Sequence, residues 1–122
     1  MSKNVSVFRS SNAKTEYYAA YEAMLKKWPV PCQELYIPTR FGDTHVIASG
    51  SQAAPPLVLL HSAGSGSVQW FRNVEPLSQH YRTYAIDVIG EVNKSITAQK
   101  LSYLRQSTAT QSCVEFTLPC CY

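Results

Sequence analysis

Apolar positions recur with a helical period near the start of the chain. Tyr17, Tyr21, Met24 and Trp28 fall at i, i+4, i+7 and i+11, with Leu25 beside them, and predict a helix over residues 12–28. Asn12 is the expected N-cap, Glu16 lies in the first turns where the helix dipole favours an acid, and Lys26 and Lys27 suit the last turn. Pro29 and Pro31 end the helix, because a residue before proline resists the α region. The aromatic stripe reads first as core packing, and otherwise as the lining of an apolar cleft. The period then drops to two. Residues 34–39 place Leu35 and Ile37 on one face and Glu34 and Tyr36 on the other, and residues 44–48 form a second strand. The intervening Arg40-Phe41-Gly42-Asp43 offers a Gly-Asp turn, so a β-hairpin is expected.

After a Gly-, Ser- and Pro-punctuated loop over residues 49–56 comes an uninterrupted apolar run, Leu57-Val58-Leu59-Leu60. Such runs suit a parallel strand buried on both faces. A small-residue turn follows over residues 61–67, then a helical pattern over 68–79 carrying Val68, Phe71, Val74 and Leu77 on one side. Pro76 sits late enough in that pattern to kink or shorten it. Residues 81–88 read as another strand, with Tyr84, Ile86 and Val88 on one face and Ala85 on the other, ended by Gly90. Strand, turn, helix, strand is a βαβ unit with parallel strands and a right-handed crossover. The fold class is therefore α/β: an N-terminal helix, a β-hairpin and a βαβ unit. Residues 1–11 form a loose lead, and the organised part runs over residues 12–96. Residues 97–122, rich in Ser, Thr, Gln and Cys, form an atypical tail expected to be poorly ordered.

Composition narrows the function classes. Hydrophobic residues make up 45% of the 122, enough for a core, which excludes a wholly disordered chain. Eleven Lys and Arg against eight Asp and Glu leave +3, small and dispersed, so a nucleic-acid partner is not indicated. Three of the four cysteines, Cys113, Cys120 and Cys121, crowd into the tail and Cys32 stands alone, which fits neither a disulfide framework nor a zinc site. No apolar run reaches the ~20 residues of a membrane span, and residues 5–8 are too short for a signal core. The expectation is a soluble, cytoplasmic protein with reduced thiols, no metal and no cofactor.

The chemistry-bearing stretch is the strand Leu57-Val58-Leu59-Leu60, the turn His61-Ser62-Ala63-Gly64-Ser65-Gly66-Ser67, and Trp70. A buried strand running into a small-residue turn aims backbone N–H groups into a cleft at the strand's carboxyl end, where they can stabilise an oxyanion. Together with Arg40-Phe41-Gly42, Thr44-His45-Val46-Ile47, the segment from Tyr81 to Asp87-Val88-Ile89-Gly90, and Ser95, this stretch resembles the N-terminal part of α/β-hydrolase family proteins. The likeness covers residues 28–96. The resemblance implies acyl-ester hydrolysis by a Ser-His-Asp triad, with a small-molecule ester-like substrate. It maps one oxyanion-hole donor onto the Ala63 N–H and makes His61, Ser62 and Gly64 shape the turn. The family has His-Gly where this chain has His61-Ser62, and the serine's Cβ puts the donor's aim in question.

The triad itself is not in the sequence. No G-x-S-x-G occurs, and His45, His61 and His80 all precede the place where the triad histidine belongs. Asp87 is structural in this pattern, His45 is a strand residue facing a neighbour or solvent, and His80 ends a helix. The chain is thus expected to be inactive, the front part of a larger domain after a truncation or frameshift beyond about residue 96, or else a natural short variant. Two other readings stand beside it. Gly64-x-Gly66 between two strands with Asp87 downstream mimics a Rossmann-like dinucleotide-binding domain, although Gln69 replaces the third glycine. The other is a non-catalytic interaction module. In the family arrangement the third strand has neighbours on both sides. Here it is expected to be an exposed edge through which copies could self-associate.

Overall fold

The computed structural model describes residues 6–98 and 110–111. Most of the expected tail, with Cys113, Cys120 and Cys121, lies outside the described residues, as do residues 1–5 of the expected lead. The elements are α1 (Ser11–Leu25), β1 (Cys32–Thr39), β2 (Gly42–Ser49), β3 (Pro56–Leu60), a 3-10 helix (Ser67–Arg72), α2 (Val74–Ser78), β4 (Arg82–Ile86) and β5 (Ile96–Thr97). The sheet runs β1-β2-β4-β3, with β5 paired to the start of β2. β1 and β2 are antiparallel, as are β2 and β4, while β3 and β4 are parallel and joined by the helical crossover, as a βαβ unit requires.

Helix α1 begins earlier than expected. Ser10, in extended conformation, is the N-cap: its hydroxyl accepts from the Ala13 N–H at 3.1 Å, so Asn12 already lies inside the first turn. Three capping residues stand in a row here, and pattern alone does not choose among them. Phe8 packs its ring 5.5 Å from Tyr17 and 6.0 Å from Tyr18, which holds the incoming chain at Ser10. The helix closes at Leu25, and Trp28, beyond it, folds under to donate its indole N–H to Ser49 Oγ at 2.9 Å.

The hairpin turn sits one residue pair earlier than its glycine indicated. Thr39 pairs with Gly42, and Arg40-Phe41 make the turn, clipped by the Thr39 hydroxyl, which accepts from Phe41 N–H and donates to Gly42 O. Gly42 has φ +132°, and a Cβ there would lie 2.0 Å from the Ile96 carbonyl. Its glycine therefore serves the close approach of β5, not the turn.

The helix expected over residues 68–79 is two short pieces broken at Asn73. Pro76 explains the break. Its ring collides with the carbonyl four residues back, but three residues into a new helix its missing N–H costs nothing.

The sheet's two faces carry separate cores. On the α1 face Ile47, Leu59 and Ala85 pack with Tyr21, Trp28 and Val74. On the other, Val46 and Ile86 pack with Leu35, Ile37, Val58 and Tyr84. The alternation expected for β1 and β4 is thus realised. β3 is one of the sheet's two edge strands among the described residues, β1 being the other, and Leu60 is 49% exposed.

Candidate functional site

The turn that leaves β3 is built by one histidine and two carboxylates. His61 Nε2 accepts the Val88 N–H at 2.9 Å, so the ring proton is on Nδ1, which donates to Ser62 O at 2.8 Å. This buried ring ties the turn to the chain leaving β4. Ser62 is exposed, and both its N–H and its hydroxyl donate to Gln69 Oε1, at 2.9 and 3.0 Å. Among the described residues none but glycine has positive φ, so the Ser62 Cβ meets no left-handed strain. Gly64 takes φ +79° at the apex, and its N–H donates to Glu91 Oε1 at 3.3 Å. Ser65 N–H closes the turn onto Ser62 O at 3.0 Å. Among the exposed turn residues Ser62, Ala63 and Gly64, Ala63 is the one whose N–H has no acceptor among the described residues.

Beneath the turn, the wholly buried Asp87 gathers four elements. Its Oδ1 accepts the Ser67 N–H at 2.7 Å, which anchors the start of the 3-10 helix. Its Oδ2 accepts from Tyr21 Oη on α1 at 2.9 Å, His45 Nδ1 on β2 at 2.9 Å and Lys94 N–H at 3.1 Å. His45 is fully buried, so it faces neighbours and not solvent. Its Nε2 meets Glu34 Oε1 at 2.9 Å. Both ring nitrogens thus point at carboxylate oxygens, which only accept, a geometry that the doubly protonated ring satisfies. Lys94 Nζ completes the network on Glu34, at 2.7 Å, and on Glu22.

Burial alone pushes the Asp87 carboxyl up, but hydrogen bonds and charge from His45, then Ser67 N–H and Tyr21, outweigh it and hold the group below the ordinary carboxylate value. Glu34 is likewise held low: burial opposes ionisation, and the bonds from Lys94 and His45 prevail. Burial lowers Lys94, but Glu22 and Glu34 raise it further, so its amine titrates above the ordinary value. Tyr21 is pushed far up by burial and by Asp87, and its hydroxyl stays a donor.

The sequence pattern marked Asp87 and His45 but missed Tyr21, Glu34 and Lys94 as their partners. Each lies on a different element, and only the assembled sheet and α1 bring them within reach. His80, past the end of α2, is exposed and takes no part in this cluster. Among the described residues no group of three or more His, Cys, Asp or Glu has the arrangement of a metal site. None of their helices is long and apolar enough to cross a membrane.

No family model matches the chain. It is, however, 58% identical over 80 residues to an uncharacterised carboxylesterase, nap, of Bacillus subtilis, a match covering 66% of this chain and 27% of that protein. It is 44% identical over 89 residues to the carboxylesterase YbfK of the same organism, covering 73% of this chain and 30% of the relative. The crystal structure of naproxen esterase from Bacillus subtilis superposes with a TM-score of 0.81 at 46% identity, over 92% of this chain and 39% of that one. The chain belongs to the α/β-hydrolase family. It spans between a quarter and two-fifths of the length of these relatives. As a family member it uses its glycine turn differently from a dinucleotide-binding protein: the Gly64 and Ser67 N–H groups that would cradle a pyrophosphate already hold the Glu91 and Asp87 carboxylates. A phosphate there would face two like charges.

Proposed function

We propose that residues 12–96 form the oxyanion side and the supporting sheet of a carboxylesterase-type site acting on small ester-like molecules. The observation that carries this reading is the turn after β3. The N–H groups of Ser62 and Gly64 are engaged while that of Ala63, exposed between them, has no acceptor among the described residues. A donor held in fixed geometry and left unengaged is what a developing oxyanion needs. His61, Ser62 and Gly64 hold that donor's place through the bonds described above. The carboxylesterase relatives support the acyl-transfer class. No G-x-S-x-G lies within residues 1–122, so this chain by itself supplies a donor but no nucleophile, acid or base, and does not turn over esters. The free, exposed Cys32 fits a reducing, cytoplasmic setting.

The test is a chimera in which residues 12–96 replace the corresponding segment of the Bacillus subtilis carboxylesterase. Hydrolysis of a short acetate ester should persist, and Ala63→Pro, which deletes the N–H, should lower kcat by about 10²–10³-fold. A folded chimera without activity, or an Ala63→Pro variant at full rate, overturns the reading. The unmodified 122-residue chain should show only background hydrolysis.

A further inference from the structure

Helix α1 leaves one strip of its inner face unpacked. Tyr21 is buried, whereas Tyr17 and Met24 are half-buried and Ala20 between them is exposed. A small residue flanked at i−3 and i+4 by large ones makes a hollow on a helix. Across from it stand Gly64, Gly66 and Val68, and the two sides enclose an open groove of about 260 Å³. No residue lining it carries a charge. For scale, an apolar cavity of about 150 Å³ takes benzene.

The groove holds an unused hydroxyl. The Tyr17 hydroxyl makes no hydrogen bond within the described residues, yet it hangs over the turn, 3.1 Å from where a Cβ on Gly66 would be. Burial, then the charge of Asp87, push it up to about 12, so it remains a neutral donor across the physiological range. Gly66 is what permits this closeness: a side chain there would meet Tyr17, Tyr21 and Asp87 within 3.1–3.4 Å.

We propose that this groove binds the uncharged aryl or alkyl part of a carboxylic ester, with the Tyr17 hydroxyl donating to an ester oxygen. The assignment deepens the esterase reading and rests on it, because the groove shares Gly64 and Gly66 with the candidate oxyanion turn. Its neutral walls disfavour a free carboxylate or phosphate, which would enter with no counter-charge. A neutral hydroxyl donor beside an apolar hollow matches a neutral ester, which offers acceptors and no donor.

The experiment is an amide NMR titration of the 122-residue chain with 2-naphthyl acetate, and with 2-ethylnaphthalene as a probe of similar shape lacking ester oxygens. Saturable shifts are expected at Gly64, Gly66 and Gln69 with both. Ala20→Trp, which fills the hollow from an exposed helical position, should weaken both by about tenfold or more. Met24→Lys is a second variant, should the first perturb the fold. Tyr17→Phe should weaken the ester by about 5–10-fold and leave the hydrocarbon unchanged. Shifts that never saturate, binding untouched by both Ala20→Trp and Met24→Lys, or equal loss of both probes in Tyr17→Phe would each overturn the proposal. Failure of the underlying esterase reading shows separately, as an inactive 12–96 chimera on a short acetate ester that does not need the groove.

Discussion

Asp87 ties four parts of the described structure to one carboxylate. One carboxylate accepts from α1, β2, the turn region and the chain after β4, so replacing it affects all four at once. Asp87→Asn keeps the volume but loses the charge opposite His45 and places an NH₂ against donors. Breaking a buried pair from one side costs about 3–5 kcal/mol, and the variant should lose its cooperative urea transition. Tyr21→Phe removes one bond to the same oxygen and should cost about 1–2 kcal/mol by the same measurement. The network also sets a pH dependence. Asp87 and Glu34 titrate below their unfolded values, near 4, so their contribution is complete above that pH and is lost as pH falls through the folded values. Lys94 titrates above its unfolded value near 10.4. Its contribution is complete below that pH and is lost as pH rises through the folded value. Urea midpoints from pH 2 to 11 should therefore form a plateau that falls at both ends, and Glu34→Gln should flatten part of the acid side.

At the scale of elements, close backbone approach decides what composition leaves open. β5 is two residues long and carries no periodic signal, yet the Ala98 N–H to Phe41 O bond and the Gly42–Thr97 pairing clamp the chain back onto the hairpin. Gly42→Ala should cost about 1–3 kcal/mol, because the position has a φ rarely open to alanine and its Cβ would strike the Ile96 carbonyl. Loss of amide-exchange protection at Ala98 with β1 protection retained would locate the damage at β5. The broken crossover helix follows a similar logic. The apolar spacing of residues 68–79 was legible as one helix, but Pro76 permits a helical start and forbids its continuation from residue 72.

For the whole molecule the decisive feature is the sheet edge. β3 runs Pro-Leu-Val-Leu-Leu without a charge, is parallel to β4, its single partner among the described residues, and exposes half of Leu60. Parallel strands are normally covered on both sides, and an uncharged edge is a template for pairing. We expect the chain to self-associate through this edge. Sedimentation velocity should show concentration-dependent growth, and Leu60→Lys should suppress it with little change in stability. A chain that stays monomeric at high concentration, or a Leu60→Lys variant that associates equally, would falsify this expectation.

Much was legible in the sequence because it depends on near neighbours. The helix-stop prolines, the period-two strands, the apolar run into a small-residue turn and the α/β class all follow from local sterics and burial. Family likeness was visible in the same stretch, because that turn needs particular small residues in order. Three-dimensional packing alone decided the rest. It selected Ser10 over Asn12 as the cap, moved the hairpin turn off Gly42, and placed Tyr21, Glu34, His45 and Lys94 around Asp87. A buried charge needs partners from wherever the chain can bring them, and in a mixed sheet those partners lie tens of residues apart. The spacing of residues along a chain records its own bends, but not which distant side chains will share a carboxylate once water is excluded.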